Sequence, residues 1–125
     1  EGRRNQFEVF VLPNLYGDII TDEAAEIQGG VGTAGSANIG DHYAMFEAIH
    51  GSAPRMINED RGEYANPSSL IKASELLLRH IGMNTAADRL AAAMTACDEE
   101  KAVVITNHKD GATCKEFADY VISKL

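Results

Sequence analysis

Positive charge is scarce in this chain. Eleven lysines and arginines stand against 19 aspartates and glutamates, for a net charge of −8 over 125 residues. That balance argues against nucleic acid or an anionic membrane surface as a partner. Long apolar runs are missing too, and nothing approaches the ~20 residues that a bilayer span needs. Arg3 and Arg4 precede a run of only six residues, 7–12, which is no secretory leader. There are two cysteines, Cys97 and Cys114, and they form no C-x-x-C or zinc-ligand pattern. Isolated thiols without a leader are expected to stay reduced in the cytoplasm. No internal repeat, low-complexity tract or linker divides the chain. An initiator methionine is also lacking, which suggests a piece of a longer protein or a processed one.

What is present is an ordinary globular composition, 45% hydrophobic, on a chain of single-domain length. Phe7-Glu8-Val9-Phe10-Val11-Leu12, closed by Pro13, predicts a buried strand of the parallel-sheet kind. A helix is predicted over about 16–28, with Ile19, Ile20, Ala24 and Ile27 as its apolar stripe. Gly29 and Gly30 should stop it. The glycines at 30 and 32 follow a helix, whereas a dinucleotide-binding fingerprint must follow a strand and open a helix. A second strand is predicted over 43–49, leading into His50-Gly51-Ser52-Ala53-Pro54, a loop of small residues suited to close backbone approach. Residues 55–64 are charged and unpatterned, as in an exposed loop.

Asn66-Pro67-Ser68-Ser69 should start a helix whose buried face is Leu70, Ile71, Ala73, Ser74, Leu77, Leu78 and Ile81, ended by Gly82. Another helix is predicted over about 85–100, with Ala86, Leu90, Met94 and Cys97 on one face. The run 102–105 predicts a short strand and 107–111 a turn. Thr113 should cap a last helix with Phe117, Ala118, Val121, Ile122 and Leu125 inward.

The stretch with the most chemistry is Asn14-Leu15-Tyr16-Gly17-Asp18-Ile19-Ile20-Thr21-Asp22. Asp18 and Asp22 are four residues apart, about one helical turn, so both carboxylates can face one cation. Carboxylate oxygens suit hard ions such as Mg²⁺ or Mn²⁺. Taken alone, the pair reads first as an ordinary solvated helix start, since acids are favoured in a first turn. His50 could stack on or hydrogen-bond a ligand, but a loop histidine taken alone is more often structural or merely exposed.

Together these residues resemble the C-terminal part of the β-decarboxylating dehydrogenases, the isocitrate/isopropylmalate dehydrogenase family. The resemblance runs over about 8–125. Its marks are the Asn14–Asp22 stretch, Gly29-Gly30, His50-Gly51-Ser52-Ala53-Pro54 and Asn66-Pro67, in that order. Ala37-Asn38-Ile39-Gly40-Asp41, Phe46-Glu47-Ala48 and Leu78-Arg79-His80-Ile81-Gly82 look like the isocitrate branch; the isopropylmalate branch typically has Tyr-Glu-Pro in place of Phe46-Glu47-Ala48.

The resemblance implies an α/β fold, the helix-rich C-terminal portion of that family's fold with a few strands. It implies oxidation of isocitrate by hydride transfer to NAD or NADP, followed by loss of CO₂, in a homodimer or higher homo-oligomer. Asp18 and Asp22 match the family's metal ligands, for Mg²⁺ or Mn²⁺, with a further carboxylate expected from another subunit. His50, Gly51, Ser52, Ala53 and Pro54 match its adenosine-binding loop, Asn66 the adenine contact, and Glu47 a residue near the nicotinamide. About 14–40 would form the interface and metal part, and 41–125 the cofactor-binding part.

Arg55-Met56 stands where NAD-using relatives usually carry an Asp. A guanidinium is a good partner for a 2′-phosphate, so NADP stays open beside NAD. The expected second basic or phenolic partner of NADP enzymes is not evident; Lys109 and His108 are its candidates, and the balance leans slightly to NAD. The family's substrate-binding and acid–base residues belong to sequence upstream of this segment, which by itself should be inactive. The other readings are an isopropylmalate or tartrate/malate dehydrogenase of the same family, a non-catalytic regulatory subunit, and an unrelated acidic α/β binding module.

Overall fold

The computed structural model describes residues 9–28 and 34–125. Helix α1 spans Asn14–Gln28, two residues earlier than the periodicity suggests. Its first turn closes through the Gly17 N–H on the Pro13 carbonyl at 2.9 Å. Gly29, Gly30 and Gly32 lie outside the described residues.

The chain then forms a two-stranded antiparallel hairpin of β1, Gly35–Ile39, and β2, Ala44–Ala48. β1 was not expected as a strand. Its Gly-Ser-Ala-Asn-Ile composition carries little β-propensity, and it is extended because Ala37 pairs with Phe46 and Ser36 with Glu47. The alternation along β2 turns Ala44, Phe46 and Ala48 to one side and Met45 and Glu47 to the other. The first side lies on helix α3, Ser68–His80, where the rings of Phe46 and His80 are 5.4 Å apart.

Gly35 explains how closely this hairpin sits. A Cβ there would overlap the backbone of Ala73 and come 2.8 Å from the Lys72 carbonyl carbon. Opposite it, α3 offers a small-residue face, with Ser68, Ser69 and Ala73 buried. Leu70, Leu77 and Ile81, expected inward, are exposed, as is Ser74. Small side chains let a sheet approach a helix backbone, and that approach rotates the larger residues away from the contact. The helix ends as expected at Gly82 (φ 81°), where the Met83 N–H returns to the Leu78 carbonyl at 2.8 Å.

The core proper lies between helices α4, Asn84–Glu100, and α5, Cys114–Ser123. Ala93, Met94, Cys97, Phe117 and Val121 are buried there, with Ile71, Leu90, Val103 and Ile105 packed around them. Thr113 caps α5, as its sequence predicts, and the structure shows the cap to be a reciprocal box with Glu116. Ile122 and Leu125 are exposed, not inward.

Two expected strands are absent among the described residues. Residues 9–13 have no regular structure and Val11 is 91% exposed, while Phe7 and Glu8 lie outside the described residues. The run 102–105 is also irregular, although Val103 and Ile105 still pack on the core. β-branched runs favour extended chain, but a strand exists only where a neighbour completes its hydrogen bonds. The charged run 55–64, expected as a loop, instead folds into a short helix α2, Pro54–Asn58, and a 3₁₀ turn, Gly62–Tyr64. Proline at the first helical position favours that start.

Among the described residues no surface covers the apolar stripe of α1. Ile19, Ile20, Ala24 and Ile27 are all exposed, and among the described side chains of this helix Ala25 alone is buried. Periodicity is a local property, whereas burial needs a second surface. No helix among the described residues is long and apolar enough to cross a membrane.

Candidate functional site

Asp18 and Asp22 both lie on α1 and both are exposed. Because the helix begins at Asn14, Asp18 falls beyond the first turn, where the helix dipole would account for an acid. Thr21 is used locally, its hydroxyl donating to the carbonyls of Gly17 and Asp18 at 2.8 and 3.0 Å. The carboxylates therefore project from a regular helix one turn apart, with oxygen donors of the kind hard cations take. Among the described residues no group of three or more His, Cys, Asp or Glu side chains could hold a metal. The pair fits part of a Mg²⁺ or Mn²⁺ shell, and further ligands have to come from elsewhere.

The second constellation is built by the hairpin and α3. Glu47 sits on the outward side of β2, where its carboxylate accepts a hydrogen bond from the Asn38 amide at 2.8 Å. Asn38 is a diagonal neighbour across the hairpin, so this contact depends on register. β2 then delivers the chain to the 50–54 loop. The residue before that loop is pinned: the Ile49 N–H donates to the Ser69 hydroxyl at 3.0 Å, and that hydroxyl donates to the Ala34 carbonyl. One buried serine thus joins the end of β2, the entry to β1 and the first turn of α3.

His50 is exposed, with Nδ1 2.9 Å from the Gly51 carbonyl oxygen. A carbonyl only accepts, so in this contact Nδ1 is the donor. Gly51, Ser52, Ala53 and Pro54 are all exposed. Ala53 has φ 45° and ψ 54°, a left-handed conformation costing a non-glycine residue about 1–2 kcal/mol. Asn66 uses its side-chain oxygen on the Ser68 N–H at 2.9 Å, which orients its amide and starts α3.

Arg55 is 85% exposed on its side chain and its Nε lies 2.5 Å from Glu59 Oε1. The Glu59 hydrogen bond raises the guanidinium's pKa, and in return Arg55, then Arg61, lowers that of Glu59. Lys109 reaches Asp60 at 3.4 Å, so the structure does bring the 107–111 turn beside the segment after Pro54. Sequence reasoning missed Asn38, Glu59, Arg61 and Ser69. Asn38 needed the hairpin register, and Arg61 a contact 46 residues away in sequence.

These features can be set beside known proteins. A family model described as isocitrate/isopropylmalate dehydrogenase matches residues 2–121. "Isocitrate dehydrogenase [NADP]" of Rickettsia bellii (strain RML369-C) is 50% identical over 125 residues, covering 95% of this chain and 25% of the relative. "Probable isocitrate dehydrogenase [NAD] subunit alpha, mitochondrial" of Drosophila melanogaster is 37% identical over 120 residues, covering 96% of this chain and 31% of the relative. The crystal structure of isocitrate dehydrogenase from Methylococcus capsulatus superposes with a TM-score of 0.84 at 37% identity, covering 95% of this chain and 35% of that one. The chain thus spans about a quarter to a third of the length of these relatives. By the family match and the shared fold, it belongs to the isocitrate/isopropylmalate dehydrogenase family.

Proposed function

We propose that the full-length protein oxidatively decarboxylates isocitrate to 2-oxoglutarate, using a divalent metal ion and NAD or NADP. The observation carrying this is the 50% identity to a Rickettsia bellii protein named isocitrate dehydrogenase. In this proposal Asp18 and Asp22 are two ligands of Mg²⁺ or Mn²⁺, a role supported by their donor chemistry and helical spacing. A divalent ion supplies Lewis-acid polarisation of the substrate's hydroxyl. The carboxylates hold it on a rigid helix, which fixes its position better than a loop would.

The dinucleotide lies along His50–Pro54. His50 Nε2 and the open backbone at Gly51 meet its adenosine end, the Asn66 amide meets the adenine edge, and Glu47, oriented by Asn38, stands toward the nicotinamide. The exposed Arg55 guanidinium suits a 2′-phosphate, and relatives of both cofactor types are named, so NAD and NADP both stand. Residues 14–40 serve the interface and metal, and 41–125 the cofactor, the two parts sharing the β1–β2 hairpin. The working form is a cytoplasmic homodimer or higher homo-oligomer, with this segment inactive alone.

The test is reduction of NAD and NADP by purified full-length protein, offered isocitrate, 3-isopropylmalate, tartrate or malate with Mn²⁺. Isocitrate should be turned over and a chelator should stop the reaction. Preference for another of these acids would overturn the assignment.

A further inference from the structure

We propose that Arg61 is a positioning residue for the dinucleotide site, locking the segment after Pro54 onto the 107–111 turn and thereby setting where Arg55 stands. This rests on the proposed dinucleotide role of residues 50–55. The geometry is a relay through one carboxylate. Arg61 Nε and Nη2 donate to Glu59 Oε2 at 2.8 and 2.6 Å, while Glu59 Oε1 accepts from Arg55 Nε at 2.5 Å. The remaining arm of the fork, Arg61 Nη1, donates to the Asn107 carbonyl. Asn107 has φ 62°, a left-handed conformation within that turn. A second tie runs alongside, Lys109 Nζ to Asp60 Oδ2 at 3.4 Å.

Exposure separates the two arginines. The Arg61 side chain is 16% exposed against 85% for Arg55. Arg61 spends its donors on protein acceptors, whereas among the described residues Arg55 commits only Nε, its side chain being 85% exposed. The backbone of Arg61 is held as well, its N–H on the Met56 carbonyl at 2.8 Å and its carbonyl accepting the Tyr64 N–H at 3.0 Å. The 50–54 loop is exposed throughout, with a left-handed alanine at its exit, so it depends on what anchors its two ends. Ser69 holds the entrance and Arg61 the exit.

A lysine cannot replace this arginine. One ammonium lacks the rigid planar fork that reaches a carboxylate and a carbonyl in different directions at once.

The experiment uses full-length protein carrying Arg61→Met or Arg61→Lys, each checked for unchanged far-ultraviolet circular dichroism. Direct titration with NADPH and with NADH gives Kd without relying on any substrate. Both variants should weaken the tighter-bound dinucleotide about tenfold, roughly the worth of one charge-assisted hydrogen bond of positioning. In turnover the effect should fall on KM for the dinucleotide, with kcat and KM for the hydroxy acid within about twofold. A lowered melting temperature with Kd unmoved would overturn the proposal, as would full restoration by lysine or a loss confined to kcat. Protein that binds dinucleotide with this Arg61 dependence but ignores isocitrate would refute the proposed substrate and leave the role of Arg61 standing.

Discussion

Ser69→Ala tests how much of the dinucleotide loop hangs on one buried hydroxyl. Ser69 is 0% exposed and its Oγ joins two backbone groups, accepting the Ile49 N–H at 3.0 Å and donating to the Ala34 carbonyl. Alanine removes a single oxygen and leaves both groups without their partner. A buried polar group left unsatisfied costs about 1–3 kcal/mol. Ile49 and Ala34 are only half-buried, so water compensates part of each loss, and about 1–3 kcal/mol is expected for the pair together. The change is local, so the assay should be local: hydrogen–deuterium exchange of the Ile49 amide in the full-length protein. Opening easier by that amount speeds exchange roughly five- to 150-fold. Amides in α5, whose core does not include Ser69, should exchange as before. If the Ile49 amide exchanges at the wild-type rate, the hydroxyl is not what fixes the entrance to the loop.

Gly35→Ala drives a Cβ into the backbone of α3 at Ala73, where no flexible side chain can yield. The hairpin should be displaced and stability fall by about 1–3 kcal/mol; an unchanged melting temperature of the full-length protein would refute the close approach. Glu100 is held below the ordinary carboxylate pKa, first by its hydrogen bond from Lys124 and then by that from Tyr120. A depressed folded pKa means stabilisation that is present above the unfolded value and lost as pH falls through the folded one. Glu100→Gln should therefore lower the melting temperature at neutral pH, and the gap to wild type should close on acidification; a gap independent of pH would count against the pairing. On the proposed metal role, Asp18→Asn should raise the Mn²⁺ needed for half-maximal turnover by more than the roughly 10–100-fold typical of an outer-shell change. Wild-type activity at low Mn²⁺ would remove Asp18 from the site.

Many features written within one helical turn were legible in the sequence, although the short helix α2 was not. The cap at Thr113, the stop at Gly82, the extents of α3 and α4 and the spacing of Asp18 and Asp22 all follow from contacts three to five residues apart. The motif His50-Gly51-Ser52-Ala53-Pro54 was equally visible, because a loop of small residues announces itself by composition. The tertiary structure decided everything that needs a second surface. It made Gly35–Ile39 a strand although its residues scarcely favour one, and left 102–105 irregular although its residues do, because strands exist by pairing. It turned Ser69 into the pin of a loop 20 residues away and Arg61 into a clasp on Asn107, 46 residues away. Short-range order comes from the chain's own geometry; partnership across such separations exists only once packing has brought the segments together.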